Sequence, residues 1–334
     1  MVMKKRILLL TTGGTIACTP GGNGFAPTLP GGRLLGTVPE VLQYADVHIC
    51  PLLNKDSSNM LPQDWITIAR AVFEQQQLYD GIVILHGTDT MAYSAAAVSF
   101  MTMGISIPVV FTGAQRPLAL SDSDAPRNLR DAVCAACNCP FPGVFVMFAG
   151  HLLNGCCCSK ADTTKLCAFE SPNEKLAGVV KEDRLVFFDP PRRCCDARYF
   201  WHMDLNRKVL YLKITPGIDA GLLEFARSHH YAGIILEAFG LGGIPAGKDG
   251  LLEKISELRQ CNIPVIVTTQ CVRGKCDMSI YEVGQSALKE GVLCPNVMSK
   301  EALLAKVMWL LSFIRDGSEF SHLLLSDFCG ESGQ

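Results

Sequence analysis

The chain has 334 residues, of which 49% are hydrophobic and 19% charged, with a formal net charge of −2. That is enough for two domains with sizeable cores, and it excludes a disordered or fibrous chain. There is no basic stripe and no run of ~18 apolar residues, so neither nucleic-acid binding nor a membrane span is expected.

The opening, Met1-Val2-Met3-Lys4-Lys5-Arg6 and then four apolar residues, superficially resembles the start of a signal peptide. The apolar run stops at Thr11-Thr12-Gly13-Gly14 and no A-x-A-like cleavage site follows, so a first β-strand is the better reading. Strands are predicted over 5–11, 81–86, 108–112 and 143–149, and helices over 63–78, 91–103 and 125–137. Pro62 and Asp64 supply a helix start. A second series follows, with strands 209–214, 232–238 and 263–269 and helices 219–228, 248–260, 281–290 and 300–315. Asp189-Pro190-Pro191-Arg192-Arg193 breaks the pattern between them.

The alternation predicts an α/β protein of two domains. A larger N-terminal domain, 1–189, has a parallel or mixed sheet with flanking helices, flavodoxin-like. A linker covers 190–207, and a smaller C-terminal parallel α/β domain covers 208–334. The segment from Cys18 to Gly36 holds six glycines and three prolines. It reads as a lid over a bound substrate, or else as a surface excursion.

The chain has 16 cysteines. Without a secretory signal, reduced thiols are the default. Cys134, Cys137 and Cys139 have a spacing open to metal, but they read better as part of a helix with a small-residue face.

Two turns concentrate chemistry. Leu10-Thr11-Thr12-Gly13-Gly14-Thr15-Ile16 follows one apolar strand, and His86-Gly87-Thr88-Asp89-Thr90-Met91 follows another. Both lie at the strand edge where open parallel sheets bind ligands. Gly13 and Gly14 allow a tight turn and close approach of a ligand. The same pair could cradle a phosphate, but no lysine follows it and the phosphate-loop pattern fails. Asp89 could be a helix N-cap. A Thr hydroxyl needs a base to attack a carbonyl, and Thr88 with Asp89 and a desolvated lysine would form such a relay. Lys160, beyond Val144-Phe145-Val146-Met147-Phe148, is the candidate, though a solvated lysine is commoner. His86 could be a base or a satisfied structural histidine. Asp56-Ser57-Ser58-Asn59 could bind a carboxylate or cap the helix near Pro62.

Together these residues resemble the bacterial-type L-asparaginase family, closest to its cytoplasmic type I branch, over nearly the whole chain. The matching segments are Thr12–Ala17, Asp56–Met60, His86–Ala92, Thr112-Gly113-Ala114-Gln115-Arg116-Pro117, Ala168–Asn173, Thr269-Gln270-Cys271 and Met298–Ala302. The resemblance implies hydrolysis of L-asparagine to L-aspartate and ammonia. Thr15 is then the nucleophile, and Thr88, Lys160 and Asp89 form the group that helps hydrolyse the acyl-enzyme. Ser57 and Ser58 would bind the substrate α-carboxylate, Asp89 its α-ammonium, and Gly14, Thr88 and Ala114 would line the site. No metal or organic cofactor is implied. The partners implied are L-asparagine and further copies of the chain, as a homodimer or a dimer of dimers, in the cytoplasm.

Two departures stand out. Many members of that family carry a lid Tyr that bonds the nucleophilic Thr, and here that position is Phe25. Tyr281, contributed by the neighbouring subunit in the family's dimer, is the candidate replacement. Some type I relatives have an allosteric asparagine site. Cys271 matches it, but Glu237 stands where an Arg is expected. The alternatives are a dual glutaminase–asparaginase, an amidase feeding a transamidation partner, or a non-catalytic amino-acid-binding protein. A transamidation protein of this kind is expected to carry an N-terminal extension, whereas here the catalytic turn begins within 15 residues of Met1.

Overall fold

Runs of Ile, Leu and Val with no polar alternation form strands buried on both faces, and that is how the central sheet is built. A computed structural model describes residues 4–14, 16, 18–21, 24–27, 35–36, 38–188, 196–246, 250–295 and 297–332, with the backbone alone at 18–21 and 24–27. β1 (Lys5–Gly13) is followed by a separate hairpin of β2 (Cys18–Gly21) and β3 (Gly24–Pro27). β4 (Ala45–Lys55), β5 (Gly81–Leu85), β6 (Pro108–Thr112) and β7 (Gly143–Phe148) join β1 in parallel, in the order β7-β6-β5-β1-β4. Beyond β7, the strands β8 (His151–Asn154), β11 (Gly178–Lys181) and β12 (Arg184–Phe187) extend the sheet antiparallel. β9 (Ser159–Lys160) and β10 (Phe169–Glu170) form a small hairpin of their own.

Helices cover both faces of the sheet. α1 (Val41–Tyr44) and α4 (Ala125–Asn138) pack on one side, and α2 (Pro62–Gln75) and α3 (Met91–Met101) on the other. From β1 the chain goes to β4 on one flank and then to β5 on the opposite flank. The carboxyl ends of β1 and β5 therefore frame a topological switch point, the crevice where such sheets bind ligands.

The C-terminal domain has three parallel strands, β13 (Val209–Lys213), β14 (Gly233–Ala238) and β15 (Val265–Thr269). Around them lie α5 (Gly221–Ser228), α6 (Leu251–Gln260) and α7 (Glu282–Lys289). Next come α8 (Lys300–Phe313) and α9 (Gly317–Leu325). α3 and α8 are apolar on nearly every side, the pattern of a helix buried all round. They pack together, with the rings of Phe100 and Trp309 stacked 5.8 Å apart. Lys306 on α8 is 0% exposed. Its Nζ lies 2.7 Å from Glu331 Oε1 and also donates to the Ser326 carbonyl. Glu331 in turn accepts the backbone N–H groups of Phe328 and Cys329. The C-terminal segment is thereby tied into the core.

The two-domain α/β architecture expected from the sequence is the one observed, and each predicted strand and helix is present with ends within about one turn. The β2–β3 hairpin, α1, β4, the antiparallel extension, β9–β10 and α9 are additions to the predicted elements. The segment read as a linker lies outside the described residues over 190–195. Its described part, 196–207, is packed: Leu205 is buried, Trp309 Nε1 donates to His202 O at 3.0 Å, and Asn206 N donates to Met308 O at 2.8 Å. Cys134 and Cys137 are buried on α4 and Cys139 caps it, as the helical reading implies. Burial pushes the Cys137 and Cys139 thiols up to about 11.

Candidate active site

The end of β1 is shaped by its glycines. Gly13 and Gly14 have φ of 104° and 82°, which side chains rarely adopt. Gly14 N donates to Lys55 O at 3.0 Å, and Thr12 Oγ1 donates to Leu85 O at 2.9 Å, so the turn is pinned to β4 and β5. Thr15 itself lies outside the described residues. So do residues 22–23 and 28–34 of the predicted lid, and of Phe25 only the backbone, in β3, is described.

The turn after β5 faces this one. Thr88 is buried, whereas the Asp89 side chain is 62% exposed. Lys160 reaches them from β9. Its Nζ lies 2.7 Å from Thr88 Oγ1 and 2.6 Å from Asp89 Oδ1, and its side chain is 16% exposed. Asp89 makes no side-chain cap to α3, whose N-cap is Thr90. The pairing is thus Lys160 with Thr88 and Asp89, with the amine shielded and the carboxylate open to solvent.

A third segment closes the group. Thr88 Oγ1 donates to Gln115 Oε1 at 3.2 Å, while Gln115 Nε2 donates to the carbonyls of Asp162 and Lys165. Asp124, at the start of α4, accepts the backbone N–H groups of Gln115 and Arg116 and the amide of Asn128. Ala114 is fully buried inside that bracket. Gln115, in contact with Thr88, is a candidate site residue that the sequence reading places in a motif without giving it a role. Its signal is the Thr112-Gly113-Ala114-Gln115 string that also carries Ala114.

Ser57 and Ser58 form a 3-10 turn with Asn59. Neither caps α2, whose N-cap is Leu61, with Leu61 N bonded to Asp64 at 2.8 Å. Asp56 accepts from Ser58 N and Ser58 Oγ, and these bonds lower the Asp56 carboxyl below its usual range. Ser57 is buried beside Gly87, where a Cβ would lie 2.6 Å from Ser57 Oγ, and Thr90 Oγ1 donates to Ser57 O at 2.8 Å. The serine turn and the Thr88 turn are therefore one assembly.

His86 is not a base in this arrangement. It is fully buried, with Nδ1 2.7 Å from Gly87 O and Nε2 2.9 Å from Ser94 Oγ. Nδ1–H donates to the carbonyl and Nε2 accepts the hydroxyl, which defines a neutral ring. Burial pushes its pKa down to about 4.

Tyr281 stands apart. It is the N-cap of α7, its side chain is exposed, and its hydroxyl has no hydrogen-bond partner among the described residues. Within one chain nothing described joins it to Thr88 or Lys160. Cys271 and Glu237 line a cavity of about 480 Å³ between the domains, which Lys160, Glu170 and Arg273 also line.

A half-buried amine hydrogen-bonded to a buried hydroxyl, beside a glycine turn at a switch point, suits acyl-transfer chemistry. Comparison with known proteins agrees with the fold. Residues 6–193 match the family model described as "Asparaginase, N-terminal" and residues 208–324 the "Glutaminase/Asparaginase C-terminal domain". The chain belongs to the asparaginase family. It is 40% identical to an L-asparaginase of Thermococcus kodakarensis, covering 98% of both chains. It superposes on the solved structure of the thermostable L-asparaginase from that organism with a TM-score of 0.91, at 39% identity over 98% of each chain. It is also 32% identical to a glutamyl-tRNA(Gln) amidotransferase component of Pyrococcus horikoshii, spanning 97% of this chain but 76% of that one.

Proposed function

We propose that the protein hydrolyses L-asparagine to L-aspartate and ammonia through an acyl-enzyme on a threonine hydroxyl. The observation that carries this reading is the shielded Lys160 amine in contact with both Thr88 Oγ1 and Asp89 Oδ1. The Thr15 hydroxyl attacks the carboxamide carbon, its proton passes to the departing nitrogen, the C–N bond breaks, and ammonia leaves. Thr88 then holds the water that attacks the resulting ester. Its proton moves through Thr88 Oγ1 to Lys160 Nζ beside the Asp89 carboxylate, the ester C–O bond breaks, L-aspartate leaves, and the proton returns to Thr15 Oγ. Ser57 and Ser58 bind the α-carboxylate and Asp89 the α-ammonium. Backbone groups at Gly14, Thr88 and Ala114 line the reacting carbon, where donors stabilise the oxyanion.

Each site is completed by a second copy of the chain, as a dimer or a dimer of dimers, with Tyr281 of that copy approaching Thr15. Exposed apolar side chains beside Tyr281 in the sequence, namely Ile280 and Val283, favour a covered face there. The cysteines whose side chains are described are free thiols, which suits a reducing compartment such as the cytoplasm. Among the described residues no helix is long and apolar enough to cross a membrane.

The test is ammonia release from L-asparagine and from L-glutamine. Release from asparagine that disappears in Thr15→Ala supports the reading, and a higher kcat/KM on glutamine replaces it with a glutaminase.

A further inference from the structure

The loop from Gln270 to Tyr281 leaves the carboxyl end of β15 and reaches across to the N-terminal domain. Arg273 Nη2 lies 2.5 Å from Glu170 Oε2, and Gly274 N donates to Asn173 Oδ1 at 2.9 Å. Glu170 on β10 pairs with Ser159 on β9, the neighbour of Lys160, and Phe169 pairs with Lys160 itself. The loop thus touches the hairpin that carries the amine of the candidate site.

Two thiols meet at the far end of this loop. Cys276 is buried, with its Sγ 3.6 Å from Leu241 O. Cys294 is half-buried and its Sγ lies 3.4 Å from Cys276 O. The backbone before Cys294 is fixed to the sheet: Leu293 N donates to Val265 O, and Leu293 O accepts from Val267 N. A bond between the sulfurs would tie a loop that contacts the Lys160 hairpin to the rigid start of β15.

We propose that Cys276 and Cys294 are a dithiol modification site that a peroxide converts to a disulfide, and that the bridge slows turnover by fixing the loop 270–281. The Cys294 thiolate attacks a peroxide oxygen, the O–O bond breaks, and one water leaves, giving a sulfenic acid on Cys294. Cys276 loses its proton and attacks that sulfur, the S–O bond breaks, and a second water leaves. The peroxide gains two electrons and the thiol pair loses two. Cys294 suits the attacking role because the neighbouring Cys276 thiol lowers its pKa and because it is the more accessible of the two. The slowing follows because loops bordering a site must move for substrate to enter and product to leave.

The effect on turnover rests on the asparaginase reading, whereas the bridge does not. The experiment treats the reduced full-length protein with hydrogen peroxide, blocks the remaining thiols and digests with trypsin. Cleavage after Lys275, Lys289 and Lys300 places each cysteine in its own peptide. The expected product is a linked pair, 276–289 with 290–300. Ammonia release from asparagine falls more than about threefold and returns with dithiothreitol. Cys276→Ser, Cys276→Ala and Cys294→Ser keep the untreated rate and do not respond to peroxide. Both thiols still free in the treated protein, or a linked pair with an unchanged rate, overturns the proposal. If the reduced protein releases no ammonia at all, the asparaginase reading falls and the peptide map still decides the bridge.

Discussion

Gly14 and Gly87 meet backbone to backbone at the switch point. A Cβ on Gly14 would overlap the Gly87 amide, and a Cβ on Gly87 would lie 3.2 Å from Gly14 Cα and 2.6 Å from Ser57 Oγ. The turn after β1, the turn after β5 and the serine turn are thus locked at one point. Gly87→Ala is expected to lower kcat/KM by ~10²-fold or more by displacing Thr88 and Ser57, with the far-UV circular dichroism unchanged. A normal rate in that variant would mean the three turns have slack.

Thr88→Val removes a hydroxyl that accepts from Lys160 and donates to Gln115. Turnover should fall by ~10³-fold or more, and in Thr15→Ala likewise, while both proteins stay folded. Thr88→Ser keeps the oxygen and should recover much of the loss. Stopped-flow measurement of ammonia release separates the variants: Thr15→Ala forms no acyl-enzyme, whereas Thr88→Val accumulates one.

Tyr281→Phe keeps the ring and removes only the hydroxyl. If a neighbouring copy supplies that hydroxyl to Thr15, where Phe25 has none, kcat should drop ~10²-fold with oligomeric state and melting temperature unchanged. Light scattering alongside the assay sets the second condition, that a monomer at high dilution has little activity. An unchanged kcat returns Tyr281 to packing and leaves water or Lys160 as the proton acceptor for Thr15.

His86 makes stability depend on pH. Its folded pKa, about 4, lies below the unfolded value of 6.5. Between these values the unfolded chain binds the proton and the folded chain does not. Stability from this group is complete above about 6.5, declines as pH falls, and levels off below about 4, a loss of about 3 kcal/mol. Urea unfolding at several pH values, compared between the parent and His86→Gln, isolates it. The buried carboxyls Glu301 and Glu331, raised by desolvation, act with the opposite sign in both proteins and drop out of the difference. Parallel pH profiles for the two would remove the assignment.

The parallel strands and helices are legible because burial on both faces leaves unbroken apolar runs, as in Gly81–Leu85 and Pro108–Thr112. β4 is not, because it is the sheet edge and mixes Asp46, His48, Asn54 and Lys55 among its apolar residues. The Thr88-Asp89 turn can be read from its place after a strand. Lys160 cannot be read by spacing alone: it sits on a two-residue strand 72 positions from Thr88, and only the β9–β10 hairpin aims it there. Motif resemblance supplies it. Whether Ser57 and Ser58 cap α2 depends on where that helix begins, and the N-cap at Leu61 removes the capping reading.

The ion pair of Lys306 and Glu331 has a consequence for how the chain is made. During synthesis the N-terminal domain emerges first and can fold as a unit. α8, which packs against α3, emerges with an ammonium group whose carboxylate has not yet been translated. Burying that charge alone is strongly unfavourable. The seam between the domains therefore stays open until residue 331 has left the ribosome, and docking of α8 follows that of the elements before it. A ribosome stalled a few codons earlier would hold a folded N-terminal domain beside an undocked helix with an exposed apolar surface, which is a substrate for chaperones.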